Sequence, residues 1–279
     1  MSTRPEPPQL PLEVPQPALD LLVRAVAFNA LAGFAAGTIA GGVGSRIAMR
    51  ISAVAAGSAK HGAITEFEAT VGEITAGGTI FLILAGGLVG VMGGLIYLAL
   101  RRWVADAGRW RGLVFGVLLV AIFGPAIIAR DNPDFHRFGP PALNITMFGS
   151  FFILFGLLVV PLSEWMERIA RALPPPSLQR SGLPSLAGHA FGLLFLLPAV
   201  GGIGFVASGG ARIFLPYTLL VIPIAALLIG RTVGRFDRLS DLRGHWGAMA
   251  AALAVLALPV AGGIALNVLA ITDIFEAAG

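Results

Sequence analysis

The sequence predicts an all-α integral membrane bundle of seven transmembrane helices, with the N-terminus inside and the C-terminus outside. Three observations carry that expectation. Of the 279 residues, 56% are hydrophobic before the 37 glycines are counted, and the mean hydropathy is +0.85. Charged residues make up 12%, about half the share usual in a soluble domain. Seven stretches free of Asp, Glu, Lys and Arg are long enough to cross a hydrocarbon core roughly 30 Å thick, which takes about 20 residues. A soluble globular enzyme is thereby excluded. So is a nucleic-acid-binding chain, because the positive charge behind the pI near 10.6 flanks apolar stretches.

The elements follow in order. Residues 1–18 hold six prolines and lack the basic start and apolar core of a signal peptide, so they read as a disordered, proline-rich cytoplasmic tail. Residues 19–279 then form the transmembrane domain. Its helices are placed near 22–45, 75–100, 112–129, 142–163, 187–207, 213–230 and 247–271. Each must be helical, because unpaired backbone groups are too costly in lipid. Pro174-Pro175-Pro176 stiffens the loop between the fourth and fifth.

Arginine placement orients the bundle. Loops 101–111, 164–182 and 231–243, with Arg4, carry twelve positive charges; the opposite side carries six, namely Arg46, Arg50, Lys60, Arg130, Arg137 and Arg212. The richer side is cytoplasmic by the positive-inside rule. The chain has no cysteine and only one lysine among its 19 basic residues. With its Ala, Gly and Pro content, that bias suggests a GC-rich bacterial genome and a multi-pass protein of the bacterial cytoplasmic (inner) membrane.

Helix association in lipid depends on close approach through small residues. Gly33, Gly37 and Gly41 lie at four-residue steps on the first helix, and Gly86, Gly90 and Gly94 do the same on the second. Gly112/Gly116 and Gly188/Gly192 mark the third and fifth. These seams read as packing surfaces. Besides the lipid bilayer, the expected partners are another membrane protein or a second copy meeting the chain through such seams; nucleic acid is not among them.

Two stretches share the pattern L-P-x-x-G-G-I: Leu197-Pro198-Ala199-Val200-Gly201-Gly202-Ile203 and Leu258-Pro259-Val260-Ala261-Gly262-Gly263-Ile264. Each follows a Gly-His pair. Proline removes a backbone hydrogen bond and paired glycines loosen the next turn. Interrupted helices near mid-membrane present free carbonyls and amides to a solute in many transporters. Pro198, Gly201, Gly202, Pro259, Gly262, Gly263 and Asn267 are therefore transport-path candidates; a kink that only shapes packing is the competing reading. The second to seventh helices contain no buried Asp, Glu, Lys or Arg, which counts against a proton-coupled carrier. Asn29, Asn144, Thr218 and Asn267 remain to hydrogen-bond between helices.

Cofactors are not expected. Lys60 lies in a loop, so no membrane lysine can hold retinal, and His189 and His245 read as interfacial residues rather than haem ligands. No phosphate-binding loop, HExxH or nucleophile elbow is present. Two outer segments hold the remaining polar chemistry. Arg46, Arg50, Glu66 and Glu73 lie in or beside the first; Asp131, Asp134 and His136, flanked by Phe135 and Phe138, lie in the second. The acidic residues and His136 would suit an oxygen-rich metal or hydrolytic site. Solvated charges, in a loop folded onto the bundle, are the competing reading. Arg46 and Arg50 share a helix face if the first helix continues, and Glu66 and Glu73 would form an acidic face opposite them.

Gly72-Glu73-Ile74-Thr75 leading into a Gly-Gly helix, and Asp131-Asn132-Pro133-Asp134-Phe135 before Phe138-Gly139-Pro140-Pro141, resemble segments of uncharacterised multi-pass membrane proteins of actinobacterial type. The resemblance covers most of residues 25–170. It implies a bacterial membrane protein and carries no activity. Three functions follow as expectations: a non-catalytic membrane subunit or structural protein, a channel or transporter of a small solute, and a membrane enzyme with an outward-facing acidic/His site.

Overall fold

The computed structural model describes residues 16–57, 75–128, 135, 139–172 and 246–278. These residues are almost entirely helical, and none lies in a strand. Four helical segments among them are long and apolar enough to cross a membrane: Ala25–Ala56, Ala76–Pro125, Pro141–Ile169 and Val260–Ala277. The predicted fifth and sixth helices, 187–207 and 213–230, lie outside the described residues.

The first rod is α1 (Gln16–Gly37), a π-helical stretch Thr38–Val43, and α2 (Gly44–Ala56). It is longer than the 22–45 expected from charge-free sequence, because Arg46 and Arg50 stay on the helix. Gly57 ends it at φ 74. α3 (Ala76–Val104) starts at Thr75, whose side-chain oxygen accepts from the Gly78 amide at 3.1 Å. A 3-10 turn, Ala105–Trp110, reverses the chain at Gly108, where φ is 57, and leads into α4 (Arg111–Ile127). The 50-residue apolar segment is thus two rods. α5 (Pro141–Ala172) and α6 (Trp246–Ala278) complete the described set.

Helices α3 and α5 also outlast their charge-free cores, by one or two turns that carry Arg101, Arg102, Glu164, Glu167 and Arg168. At 1.5 Å per residue, Glu164 stands about 35 Å from the start of α5, just past the hydrocarbon. A helix can keep its backbone bonds there while its side chains reach the headgroups.

Close approaches fix the relative directions. Gly33 meets Gly90 and Gly94 while Gly42 meets Ile83, so the first rod and α3 are antiparallel. Gly112 faces Gly156 and Gly116 faces Ile153, making α4 antiparallel to α5. Gly263 lies on Ala121, and Ile274 clusters with Ile128, so α6 runs parallel to α4. The central core joins Ala36 and Ala40, Ile96, Tyr97 and Leu100, Phe115 and Leu119, and Phe155 and Val159. At one end Phe135 is fully buried against Ile128 and Ile274 and stacks on Phe148, with ring centroids 5.4 Å apart. Phe135 therefore packs on the bundle, while Phe138 lies outside the described residues.

Candidate functional site

The seam of the first rod and α3 is closed by backbone. A Cβ on Gly37 would stand 2.6 Å from the Gly90 Cα, and one on Gly33 would overlap the Gly90 carbonyl oxygen. Neither neighbour is a side chain that could swing aside. Both glycine triplets singled out in the sequence thus face each other within one chain. The π-helical stretch inserts an extra residue into the turn, and both Gly41 and Gly42 contact α3 there. Thr38 donates across the same seam to the Ile83 carbonyl at 3.4 Å.

A polar site lies where α6 crosses α4. Pro125 sits inside α4 without an N–H, so the Ala121 carbonyl, four residues earlier, lacks its intrahelical donor. The side-chain amide of Asn267 donates to the Val120 carbonyl at 3.0 Å and lies 3.4 Å from that of Ala121. Glycine is needed on both helices for this fit. A Cβ at Gly124 would stand 2.5 Å from Asn267 Oδ1, and one at Gly263 would overlap the Ala121 oxygen. Asn267 is 9% exposed, and its Oδ1 has no hydrogen-bond partner among the described residues.

Of the transport-path candidates, Gly263 and Asn267 meet here. Gly262 points away from α4, with no described atom within 4 Å of its Cβ direction. Pro259 lies in α6 one turn earlier, and Pro198, Gly201 and Gly202 lie outside the described residues. Asn29 is fully buried but donates within its own helix, to the Ala25 carbonyl at 2.8 Å.

The outer-face candidates are mostly beyond description: Glu66, Glu73, Asp131, Asp134 and His136 all lie outside the described residues. Arg50 is exposed. Arg46 is half-buried and leans on the start of α3, where a Cβ at Gly78 would stand 2.8 Å from its Nη2. Its Nε is buried without a hydrogen-bond partner among the described residues. Among the described residues no group of His, Asp or Glu is arranged to hold a metal ion.

One cluster has no counterpart in the sequence reading. At the end of the bundle that carries the Gly108 turn, α5 presents two glutamates three residues apart. Glu167 pairs with Arg101 at the end of α3, and Glu164 pairs with Arg111 at the start of α4, Oε1 to Nη1 2.6 Å. Tyr97 packs edge-on against Phe115 within electrostatic reach of all four charges. A signal was present: glutamates at i and i+3 directly after an apolar span, opposite arginines on both sides of a short turn.

Comparison with family models, with curated proteins and with solved structures finds no match to this chain.

Proposed function

We propose that the chain is a non-catalytic membrane subunit or structural protein of a bacterial inner membrane, seated with its N-terminus in the cytoplasm. The observation that supports this best is the backbone closure between the first rod and α3. Gly33 and Gly37 lie directly against Gly86, Gly90 and Gly94. Helices held that closely part only if the seam itself breaks, which suits a rigid scaffold better than a gate. The Thr38 hydroxyl and the Asn267 amide likewise serve helix contacts. Proteoliposomes carrying the purified chain should be no more permeable to small ions and neutral solutes than protein-free vesicles. Protein-dependent flux would overturn the scaffold reading.

A channel or transporter of a small solute is the second reading, favoured by Asn267. Among the described residues its Oδ1 is a buried acceptor without a donor, beside a proline-interrupted helix and on a helix that carries Pro259, Gly262 and Gly263. On that reading Gly201→Leu and Gly262→Leu abolish flux while the protein still inserts. Equal loss of folding and flux points to packing instead.

A further inference from the structure

We propose that the end of the bundle carrying the α3–α4 turn binds anionic phospholipid headgroups through three exposed tryptophan–arginine pairs. The turn reads Arg101-Arg102-Trp103 on its way in and Arg109-Trp110-Arg111 on its way out, two arginines and one tryptophan on each side. Its arginines divide by role. Arg101 and Arg111 are taken up by Glu167 and Glu164 of α5. Arg102 and Arg109 are exposed, each next to an exposed indole: Trp103 is 48% and Trp110 55% accessible. α5 repeats the arrangement with Trp165, 49% accessible, and Arg168, three residues apart and so on one helix face.

The two ion pairs bring these three pairs to one end of the molecule. Among the described residues no carboxylate pairs with Arg102, Arg109 or Arg168, and the two glutamates nearest are already engaged. Beyond the two ion pairs, the exposed Asp106 of the turn is one carboxylate against Arg102, Arg109 and Arg168, so the face keeps an excess of positive charge. Indoles settle at the boundary between hydrocarbon and headgroups, which places the neighbouring guanidinium groups at phosphate depth. Guanidinium presents paired donors that match phosphate oxygens. The Arg109 guanidinium lies 5.0 Å from the centre of the Trp110 ring, a cation–π contact that holds it at the level of the indole. A headgroup with net negative charge is selected over a zwitterionic one, whose own cation would meet the same excess of arginine. The inference rests on the membrane placement of the helices and is independent of whether the chain is a scaffold or a carrier.

The test uses the full chain in bilayers that mix a plain lipid with brominated phosphatidylglycerol or brominated phosphatidylcholine. Bromine quenches only nearby tryptophans, so the quenching curves give relative lipid binding at this end. Brominated phosphatidylglycerol should quench more strongly. The preference should fall roughly fivefold for each arginine removed, and vanish in the Arg102→Gln, Arg109→Gln, Arg168→Gln triple variant. Arg102→Gln and Arg168→Gln singly, on different helices, read the same loss should the triple variant fold poorly. Equal quenching of the unmodified protein by both lipids overturns the proposal, as does a folded variant that keeps the full preference.

Discussion

Asn267 of α6 stands in for the hydrogen bond that Pro125 removes from α4. Its amide nitrogen is 3.4 Å from the Ala121 oxygen, the acceptor four residues before the proline, and 3.0 Å from the Val120 oxygen next to it. The donor missing from one helix is supplied by the side chain of another. Gly124 and Gly263 clear the space for that exchange.

A double-mutant cycle measures this relationship. Asn267→Ala should weaken α6 docking by roughly 0.6 kcal/mol, the typical size of an interhelical hydrogen bond in a membrane. Pro125→Ala restores the backbone donor, so Asn267→Ala should cost less in that background. Thermal unfolding of the four proteins in one detergent gives the coupling. Strict additivity means that Asn267 does not serve the proline gap.

The paired glycines of α6 should behave oppositely. Among the described residues Gly262 has no neighbour in its Cβ direction, whereas Gly263 lies against the Ala121 carbonyl. Gly262→Ala should be neutral or stabilising by up to about 1 kcal/mol, since alanine is the better helix former. Gly263→Ala should loosen α6 and lower the melting temperature. Gly37→Ala should be more damaging still, because its neighbour is the backbone of α3. Similar melting temperatures for the two α6 variants would contradict the packing described.

The ion pairs at the turn end are exposed enough to be modest. Arg111 and Glu164 are about two-fifths accessible, 39% and 40%, so either truncation should cost on the order of 1 kcal/mol or less. The charge swap Arg111→Glu with Glu164→Arg should recover most of the stability lost in either single reversal. Added salt should narrow the difference between the variants.

The glycine triplets were legible in the sequence, because a four-residue step on two neighbouring apolar stretches has few uses other than close packing. Helix ends were less legible. A stretch without charge ends before any helix whose last turns leave the hydrocarbon, so the sequence pattern puts Glu164, Glu167, Arg101 and Arg111 in loops and hides their pairing. The proline–asparagine relationship was hidden for another reason. Pro125 and Asn267 are far apart in the chain, and only the crossing of α4 and α6 brings them together. Gly262 and Gly263 look equivalent in a sequence motif, yet a step of about 100° around the helix sends one to the partner and the other away.

Topology is tested by single cysteines, since the natural chain has none. Cysteines at Ser2, Ser177 and Ser240 should resist impermeant thiol reagents in intact cells, whereas those at Asn132 and Ala278 should react. The expectation follows from the seven-span reading of the sequence, which would put twelve positive charges on one side and six on the other. Reaction at Ser177 would invert the assignment.

Arg46 offers the final test, because the seven-span reading puts it on the side with fewer positive charges, where it would need compensation. Its guanidinium leans on α3 near Gly78, and Nη1 is 4.0 Å from the Met49 sulfur, a weak acceptor. Glu73 comes two residues before Thr75, the cap of α3, in the sequence. Pairing Arg46 with Glu73 would tie the segment before α3 to the first rod above the glycine seam. Arg46→Glu should then lower bundle stability, and adding Glu73→Arg should restore part of the loss. The rival is that Arg46 reaches lipid phosphate, in which case Glu73→Arg brings no recovery. Thermal unfolding of the two single variants and the double variant decides between them: a double variant no better than the sum of the singles eliminates the latch.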